Sequence, residues 1–206
     1  VLQQVENFNS PTVTQNDSFK SVSKYFDRIT RPEQILASLP QALQVMLDTA
    51  ECGPATISMS QDVQGEAFDY PEIFFEEKIH EIRRIHPDPR EIEKAAEKIK
   101  KSQQPIIIAG GGILYSEAEN ELSEFAKKHN IPVTPTVMGI GCMDKDDPYY
   151  IGAIGCLGEG SSNSLSKDTD MAIAVGTKLS DFTTGSWTNF QNSEFKLVSI
   201  NTARFD

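Results

Sequence analysis

Pro105-Ile-Ile-Ile-Ala109 runs directly into Gly110-Gly-Gly112, and a helical pattern follows these glycines. Consecutive apolar residues over this length predict a buried strand, because strands of parallel sheets are covered on both faces. A buried strand that ends in a glycine turn and opens a helix is how α/β proteins build a cleft for a phosphate or nucleotide. The stretch therefore predicts an α/β fold and leaves two alternatives, a nucleotide site or an architectural turn.

Helical and strand patterns alternate along the rest of the chain. Short apolar runs followed by small or polar residues predict strands at 55–59, 106–109, 131–137, 171–175 and 197–200. Because helices separate these strands, we expect a parallel sheet with helices on both faces.

Capping residues and apolar spacing predict the helices of the first half. A helical pattern runs through positions 19, 22, 25 and 26. A second helix is expected to begin at Thr30, with Glu33 as the partner in a capping box. We expect this helix to kink at Pro40 without breaking, because its apolar spacing continues beyond the proline.

Two further helix starts lie in the second half. Asp88 is the expected cap of a helix with Pro89 in its first turn, and Ser116 that of a helix with Glu119 as capping-box partner. The first of these should bury a stripe formed by Ile92, Ala95, Ala96 and Ile99.

Composition and charge exclude several classes of function. The 206 residues carry 30 acidic and 19 basic side chains, for a net charge of −11. Phosphate recognition along a nucleic acid needs a clustered positive field, so we expect no nucleic-acid partner. No stretch is apolar enough to span a bilayer and residues 1–9 do not form a signal peptide, so we expect no membrane association.

The cysteines and histidines do not form a recognisable site. Cys52, Cys142 and Cys156 are scattered and unpaired in spacing, which fits the reducing cytoplasm where we expect this protein. The three histidines lack ligand spacing, and no catalytic motif is present. We therefore predict no catalytic and no metal-binding residue in this chain.

The glycine stretch departs from the dinucleotide fingerprint Gly-x-Gly-x-x-Gly. Tyr115 stands at the third glycine position, where its ring is expected to obstruct packing of helix on strand. The next strand ends in Thr134-Pro-Thr-Val137, which has no acid for a ribose. The motif alone favours a tight turn. Six glycines between Gly139 and Gly160 indicate loops that either border a cofactor or pack at a domain interface.

The order of several short motifs resembles the thiamine diphosphate-dependent enzymes of the acetolactate synthase and pyruvate decarboxylase type. The matching pieces are Gly53-Pro-Ala55, Ser60-Gln-Asp-Val63, Pro105 to Gly112, Pro132-Val-Thr134, Gly139-Ile-Gly141, Gly152-Ala-Ile-Gly155 and Asp170 to Lys178. Residues 61–71 and 199–206 are similar to the branch that hydrolyses a carbon–carbon bond of a cyclic dione in myo-inositol catabolism.

The resemblance implies a domain organisation. Residues 1–66 would be the C-terminal part of a pyrimidine-binding domain and residues 67–87 a linker. Residues 88–206 would be a Rossmann-like middle domain, truncated at its C-terminal end. The parent protein would be a homo-oligomer acting on a small-molecule substrate with thiamine diphosphate and Mg²⁺.

The residues that carry the family's chemistry are not in this sequence. The catalytic glutamate of the family lies earlier in the pyrimidine domain, and its Gly-Asp-Gly…Asn motif lies in a later domain. No Asp-Gly dipeptide occurs here. We expect the chain to be a structural, non-catalytic fragment whose partners are the catalytic domains of the same polypeptide.

Some middle domains of the family hold FAD or an ADP group. The positions that would line such a cofactor-binding cleft are Gly110, Gly111, Gly112, Gly176, Thr177 and Lys178. Lys178 replaces the family's arginine, which removes bidentate phosphate contact, so we expect no cofactor in this cleft. The alternatives are another acetolactate synthase-like enzyme, a self-contained sirtuin-like nucleotide-binding domain and an interaction module.

Overall fold

The computed structural model describes residues 15–203, and the expectation for residues 1–14 falls outside this range. The chain divides into two compact units, one ending at Arg84 and the other beginning at Ile85. The boundary falls within 67–87, a segment with little regular structure apart from the 3₁₀ turn Glu72–Phe74. Both units are built on parallel strands with helices, which confirms the α/β class.

The first unit holds a two-stranded parallel sheet and one long helix. Its elements are β1 (Tyr25–Ile29), α1 (Ile35–Met46), β2 (Ala55–Met59) and the single turn α2 (Gln61–Gln64). Tyr25 lies opposite Ala55 and Ile29 opposite Met59. Helix α1 packs on both strands, and its buried Ser38 donates a hydrogen bond to the Asp27 carboxylate of β1.

Two expectations for the first unit are wrong. The helical pattern at 19–26 is instead a 3₁₀ helix, Asn16–Val22, followed by strand β1. The backbone becomes extended after Val22 because the N–H of Lys24 donates to the carbonyl of Pro54 at 2.8 Å. This bond starts the pairing of β1 with β2.

The turn before α1 also differs from the expected capping box. The side-chain oxygen of Gln34, rather than Glu33, accepts from the N–H of Thr30 at 2.7 Å and from that of Arg31 at 2.9 Å. Helix α1 then continues through Pro40 without a break.

The second unit holds the larger sheet. Its elements in chain order are α3 (Pro89–Lys101), β3 (Pro105–Ala109), α4 (Gly111–Tyr115), α5 (Glu119–His129), β4 (Val133–Pro135), α6 (Gly160–Asp168), β5 (Met171–Val175), α7 (Asp181–Thr184) and β6 (Lys196–Ile200). The strand order is β4-β3-β5-β6, and all pairs are parallel. The carboxyl ends of the four strands therefore share one edge.

Alternate side chains of the central strands belong to two hydrophobic cores, one on each face of the sheet. Ile107, Ala109 and Ile173 point to one face with the buried residues of α4 and α5, while Ile106 and Ile108 point to the other with Ile154. Partly buried Phe190 and Phe195 pack against the second core. This period of two is what covers a parallel sheet on both sides.

The helix starts of the second unit were predicted with mixed success. Asp88 caps α3 by accepting from the N–H of Arg90 at 2.9 Å, as expected. Ile92 is exposed, however, because only Ala95 and Ile99 of the predicted stripe face the core. Ser116 ends α4 instead of capping α5, since its N–H bonds to the carbonyls of Gly112 and Ile113.

Asp170 joins the loop before β3 to the start of β5. Its carboxylate accepts from the N–H of Gln103 at 2.7 Å, from the N–H of Gln104 at 3.1 Å and from the Ser102 hydroxyl. Burial acts to raise the pKa of Asp170, but these hydrogen bonds outweigh it and hold the pKa below its ordinary value. The carboxylate thus aligns the two central strands.

Replacing Asp170 with alanine should destabilise the protein by about 2–3 kcal/mol, because it removes charged hydrogen bonds to two backbone N–H groups. Urea unfolding at pH 7 measures this loss. Since the folded pKa is depressed, the contribution is present at neutral pH and disappears as the pH falls below about 4. Asp168→Asn, an exposed neighbour, should change the unfolding free energy by less than about 0.5 kcal/mol. Equal losses for both variants would contradict the account.

Candidate functional site

The carboxyl edge of the larger sheet is where a parallel α/β sheet places its ligands. From β3 the chain crosses to β4 on one side, and β5 lies on the other. The turns that follow β3 and β5 therefore meet at the point where the strand order reverses. All six residues predicted to line a cofactor cleft lie in these two turns.

Backbone contacts fill the space between the two turns. The N–H of Gly110 donates to the Val175 carbonyl at 2.8 Å, and the N–H of Gly112 donates to the Gly176 carbonyl at 2.9 Å. A Cβ atom added at Gly112 would lie 2.5 Å from the Cα of Gly176, and one added at Gly110 would overlap the Gly176 carbonyl oxygen. These two N–H groups are committed to the protein's own carbonyls.

The remaining predicted residues are placed differently. Thr177 is buried, and its carbonyl accepts from the Asn201 side-chain amide at 3.2 Å. Lys178 lies on the exposed side of the turn. Gly111 faces away from Gly176, and a Cβ there would lie 3.1 Å from the Met138 carbonyl oxygen. The six residues are thus brought together at one edge, and their role as a cofactor cleft stays a prediction.

Tyr115 does not obstruct helix packing, so the reasoning from its ring was wrong. It is the last residue of α4 and is 84% exposed, while Ile113 of the same turn enters the core. Since α4 is only five residues long, the third fingerprint position falls beyond the part of the helix that touches the sheet. Close packing here depends on Gly112.

The glycine-rich segment 139–160 packs loops against this edge. A Cβ at Gly139 would overlap the Ala109 carbonyl, and one at Gly155 would overlap the Phe182 carbonyl. Gly155 also has a φ of +106°, a conformation that L side chains rarely adopt. These contacts show close packing of loops within the second unit, and the choice between a cofactor border and a domain interface stays a prediction.

Sequence reasoning missed Asn163 on α6. Its side-chain oxygen accepts from the N–H of Gly155 at 3.0 Å and from the Asn189 amide at 3.1 Å, and its amide donates to the Gly155 carbonyl at 3.0 Å. One side chain thereby holds two loops at the carboxyl edge. Nothing in the local sequence Ser-Ser-Asn-Ser signals this role.

The acidic loop at 144–147 is structural. Asp147 accepts from the N–H of Tyr149 at 3.0 Å, from the Ser123 hydroxyl at 3.1 Å and from the Lys127 ammonium at 3.3 Å. The backbone bond from Tyr149 is the main reason that the pKa of Asp147 is lowered. The carboxylate therefore ties this loop to α5, beside an open depression of about 490 Å³.

The buried Cys142 is not an activated nucleophile. Burial raises the pKa of Cys142 to about 11, so its thiol stays protonated at neutral pH. Cys52 and Cys156 are exposed, and all three thiols are free.

The described residues do not fit a thiamine diphosphate–metal site. In residues 15–203, no three His, Cys, Asp or Glu side chains come together in a way that could hold a metal ion. The glycine N–H groups at 110 and 112 are already bonded, so they offer no cradle for a diphosphate. Within the same residues, no helix is long and apolar enough to cross a bilayer.

Gly112→Ala should destabilise the protein by about 2–4 kcal/mol, because the new methyl group meets the rigid backbone of Gly176. Thermal unfolding measures the loss. Gly160→Ala is the matched control: a Cβ there meets nothing within 4 Å, and alanine favours the start of α6. A Gly112 variant as stable as the Gly160 variant would show that the turns do not pack as described.

Comparison with known proteins places this geometry in context. A hydrolase from Clostridium tetani, named 3D-(3,5/4)-trihydroxycyclohexane-1,2-dione hydrolase, is 44% identical over 205 residues. Proteins of the same name from Bacillus cereus (hydrolase 1 of strain ZK / E33L) and Bacillus anthracis are 42% identical over 205 residues. Each alignment covers 100% of this chain and 32% of the relative, so the chain spans about a third of the relatives' length.

The second unit matches a family model as well. Residues 92–206 match the model of the thiamine pyrophosphate enzyme central domain. This range includes the four-stranded sheet and both glycine turns. The chain therefore belongs to the thiamine pyrophosphate enzyme family and carries its central domain.

Proposed function

We propose that this chain is part of a thiamine diphosphate-dependent hydrolase that opens the ring of 3D-(3,5/4)-trihydroxycyclohexane-1,2-dione in myo-inositol catabolism. The observation that carries the proposal is identity of 42–44% along the whole chain to proteins with that name. The reaction breaks a carbon–carbon bond of a cyclic ketone by adding water. Neither the acetolactate synthase-like alternative nor the sirtuin-like one is favoured by a specific observation.

Within this enzyme, the chain has a structural role. Its two central turns are filled by backbone, its acidic loop is tied to α5 and its buried thiol is protonated. The role that suits such an edge is to brace the catalytic domains of the same polypeptide. Thiamine diphosphate and Mg²⁺ would be held by those domains.

Residues 1–66 form, in this proposal, the C-terminal part of a pyrimidine-binding domain. Support comes from the sheet of β1 and β2. Only Ile29 of its ten residues is buried, whereas strands of parallel sheets are normally covered on both faces. A two-stranded sheet is also marginal by itself, which fits a sheet that further strands complete.

Residues 67–87 are the linker and residues 88–206 a middle domain whose C-terminal end is missing. Strand β6 supports the second statement. It is the edge strand of its sheet, and only Val198 of its five residues is buried. Leu197 and Ile200 are exposed, although their apolar side chains suit a covered strand.

The middle-domain crevice holds no FAD, ADP or NAD in this proposal. The bonded N–H groups of Gly110 and Gly112 support it, because a phosphate would have to displace the carbonyls of Val175 and Gly176. We further propose that the parent protein is a cytoplasmic homo-oligomer. Its three cysteines carry no disulfide among residues 15–203, which is compatible with a reducing compartment.

The full-length protein supplied with thiamine diphosphate and Mg²⁺ should hydrolyse trihydroxycyclohexane-1,2-dione to a ring-opened acid. Disappearance of the dione and appearance of the acid can be followed by mass spectrometry. Removal of thiamine diphosphate should abolish turnover, and adding it back should restore it. The 206-residue chain alone should give no turnover above the uncatalysed rate, because this proposal places the catalytic groups in other domains of the polypeptide.

Two results would contradict this assignment. Turnover by the 206-residue chain alone would show that its own residues carry the chemistry. Full-length protein that ignores the dione but converts pyruvate to acetolactate would favour the acetolactate synthase-like alternative. A control at Gly160→Ala should retain full activity, since nothing lies within 4 Å of the added methyl.

A further inference from the structure

Three apolar side chains are exposed at the carboxyl edge, one on the loop before α6 and two on the segment formed by α7 and the turn after it. Leu157 is 74% exposed, Phe182 66% and Trp187 48%. These two segments are joined where the N–H of Cys156 donates to the Phe182 carbonyl at 2.8 Å. We call Leu157, Phe182 and Trp187 the apolar edge patch.

The segments that carry the patch are held in place. A Cβ added at Gly155, which precedes Cys156, would overlap the Phe182 carbonyl, and the Asn163 side chain bonds to both the N–H and the C=O of Gly155. Asn163 also accepts from Asn189, two residues after Trp187. An apolar surface that is fixed in advance loses little conformational freedom when another surface covers it.

The backbone that leads to Trp187 has an unusual conformation. Gly185, Ser186 and Trp187 have φ values of 56°, 54° and 66°, so three successive residues are left-handed. This conformation disfavours residues with a Cβ, and for a bulky residue it is an outlier. Hydrogen bonds from the N–H of Ser186 to the Asp181 carbonyl and from the N–H of Trp187 to the Thr184 hydroxyl, both at 3.1 Å, hold the turn.

The indole ring is only partly buried in this arrangement. Its ring lies 5.9 Å from that of Phe190, and about half of the residue stays exposed. Tryptophan is enriched at the centre of interfaces, so a strained turn that leaves a tryptophan at the surface indicates a binding partner for this side chain.

The path of the chain brings its last described residues close to the turn that leads into α7. After β6, the Ile200 carbonyl accepts from the N–H of Gly176 at 2.8 Å, and the Asn201 amide donates to the Thr177 carbonyl. The polypeptide therefore leaves the sheet at the carboxyl edge, beside the turn that leads into α7 and Phe182. The chain spans 32% of the length of its relatives, so a protein of their length would have a long stretch outside these residues. A segment tethered this close has a high effective concentration at the patch.

We propose that the apolar edge patch docks against the part of the same polypeptide that follows residue 206. The proposal rests on the proposed function only in requiring the longer protein. Leu157, Phe182 and Trp187 would be buried there, with the phenyl and indole rings as anchors. The strain of the left-handed turn would be offset by burial that the described residues do not provide.

Cys156 provides a native reporter for this contact. It is exposed, it lies between Gly155 and Leu157, and its Sγ is 3.8 Å from the Asp181 carbonyl oxygen. In the full-length protein, its alkylation by iodoacetamide can be followed by peptide mass spectrometry. The rate in urea-unfolded protein gives the reference for an unprotected thiol.

We expect Cys156 of the full-length protein to react at least about tenfold more slowly than in the unfolded reference, as a thiol under a docked surface should. The double variant Phe182→Ser, Trp187→Ser should restore most of the reactivity. Ile92→Ser, which changes an exposed apolar residue on α3 outside the patch, should leave Cys156 protected.

Three outcomes would overturn the proposal. Cys156 reacting at the unfolded rate in full-length protein would show that the patch is uncovered. Equal deprotection by Ile92→Ser would show that the loss is not specific to the patch. Protection that disappears when the protein is diluted to a monomer would assign the patch to a second copy. Alkylation needs neither substrate nor cofactor, so its outcome is independent of the ring-opening assay.

Discussion

Backbone packed directly on backbone at the centre of the larger sheet is the contact on which the second unit depends. Strands β3 and β5 are its middle pair, and the turns after them touch through Gly110, Gly112 and Gly176. Only residues without a Cβ allow this approach, which lets Gly112 donate to the Gly176 carbonyl and start α4. The helix then seats Ile113 in the core. The same contact holds the ends of the central strands together and sets the direction in which α4 leaves the sheet.

This contact also decides how the edge can be used. A nucleotide loop keeps its N–H groups open toward a phosphate, whereas here two of them are bonded to carbonyls of the neighbouring turn. These two bonds support the proposal that the crevice created by the topology holds no cofactor. What the edge offers instead is a set of fixed loops with apolar side chains, which suits contact with other protein surfaces.

The fold was largely readable from the sequence, for physical reasons that differ between elements. Runs such as 106–109 and 171–175 are apolar enough to predict buried strands, and Asp88-Pro89 marks the start of α3. Residues 19–26 misled the prediction because pairing between Lys24 and Pro54 overrides the local helical spacing. Ser116 misled it because the same residue type can end one helix or cap the next.

The site was predicted less completely than the fold. The order of the glycine turns identified the family, but contact between Gly112 and Gly176 joins residues far apart in the sequence. Tyr115 was given a role that its exposed position does not support. Asn163 and the left-handed turn at Trp187 have no local signature, since both depend on which loops the fold brings together.

Calorimetric titration of the 206-residue chain, with its folding checked by circular dichroism, tests the central claim that this edge is structural and that the chemistry lies elsewhere. Thiamine diphosphate with Mg²⁺, FAD, ADP and NAD should each give no heat beyond dilution. Binding of any of them with a Kd in the micromolar range would contradict the account, because this chain would then hold a cofactor that the proposal places in other domains or leaves out.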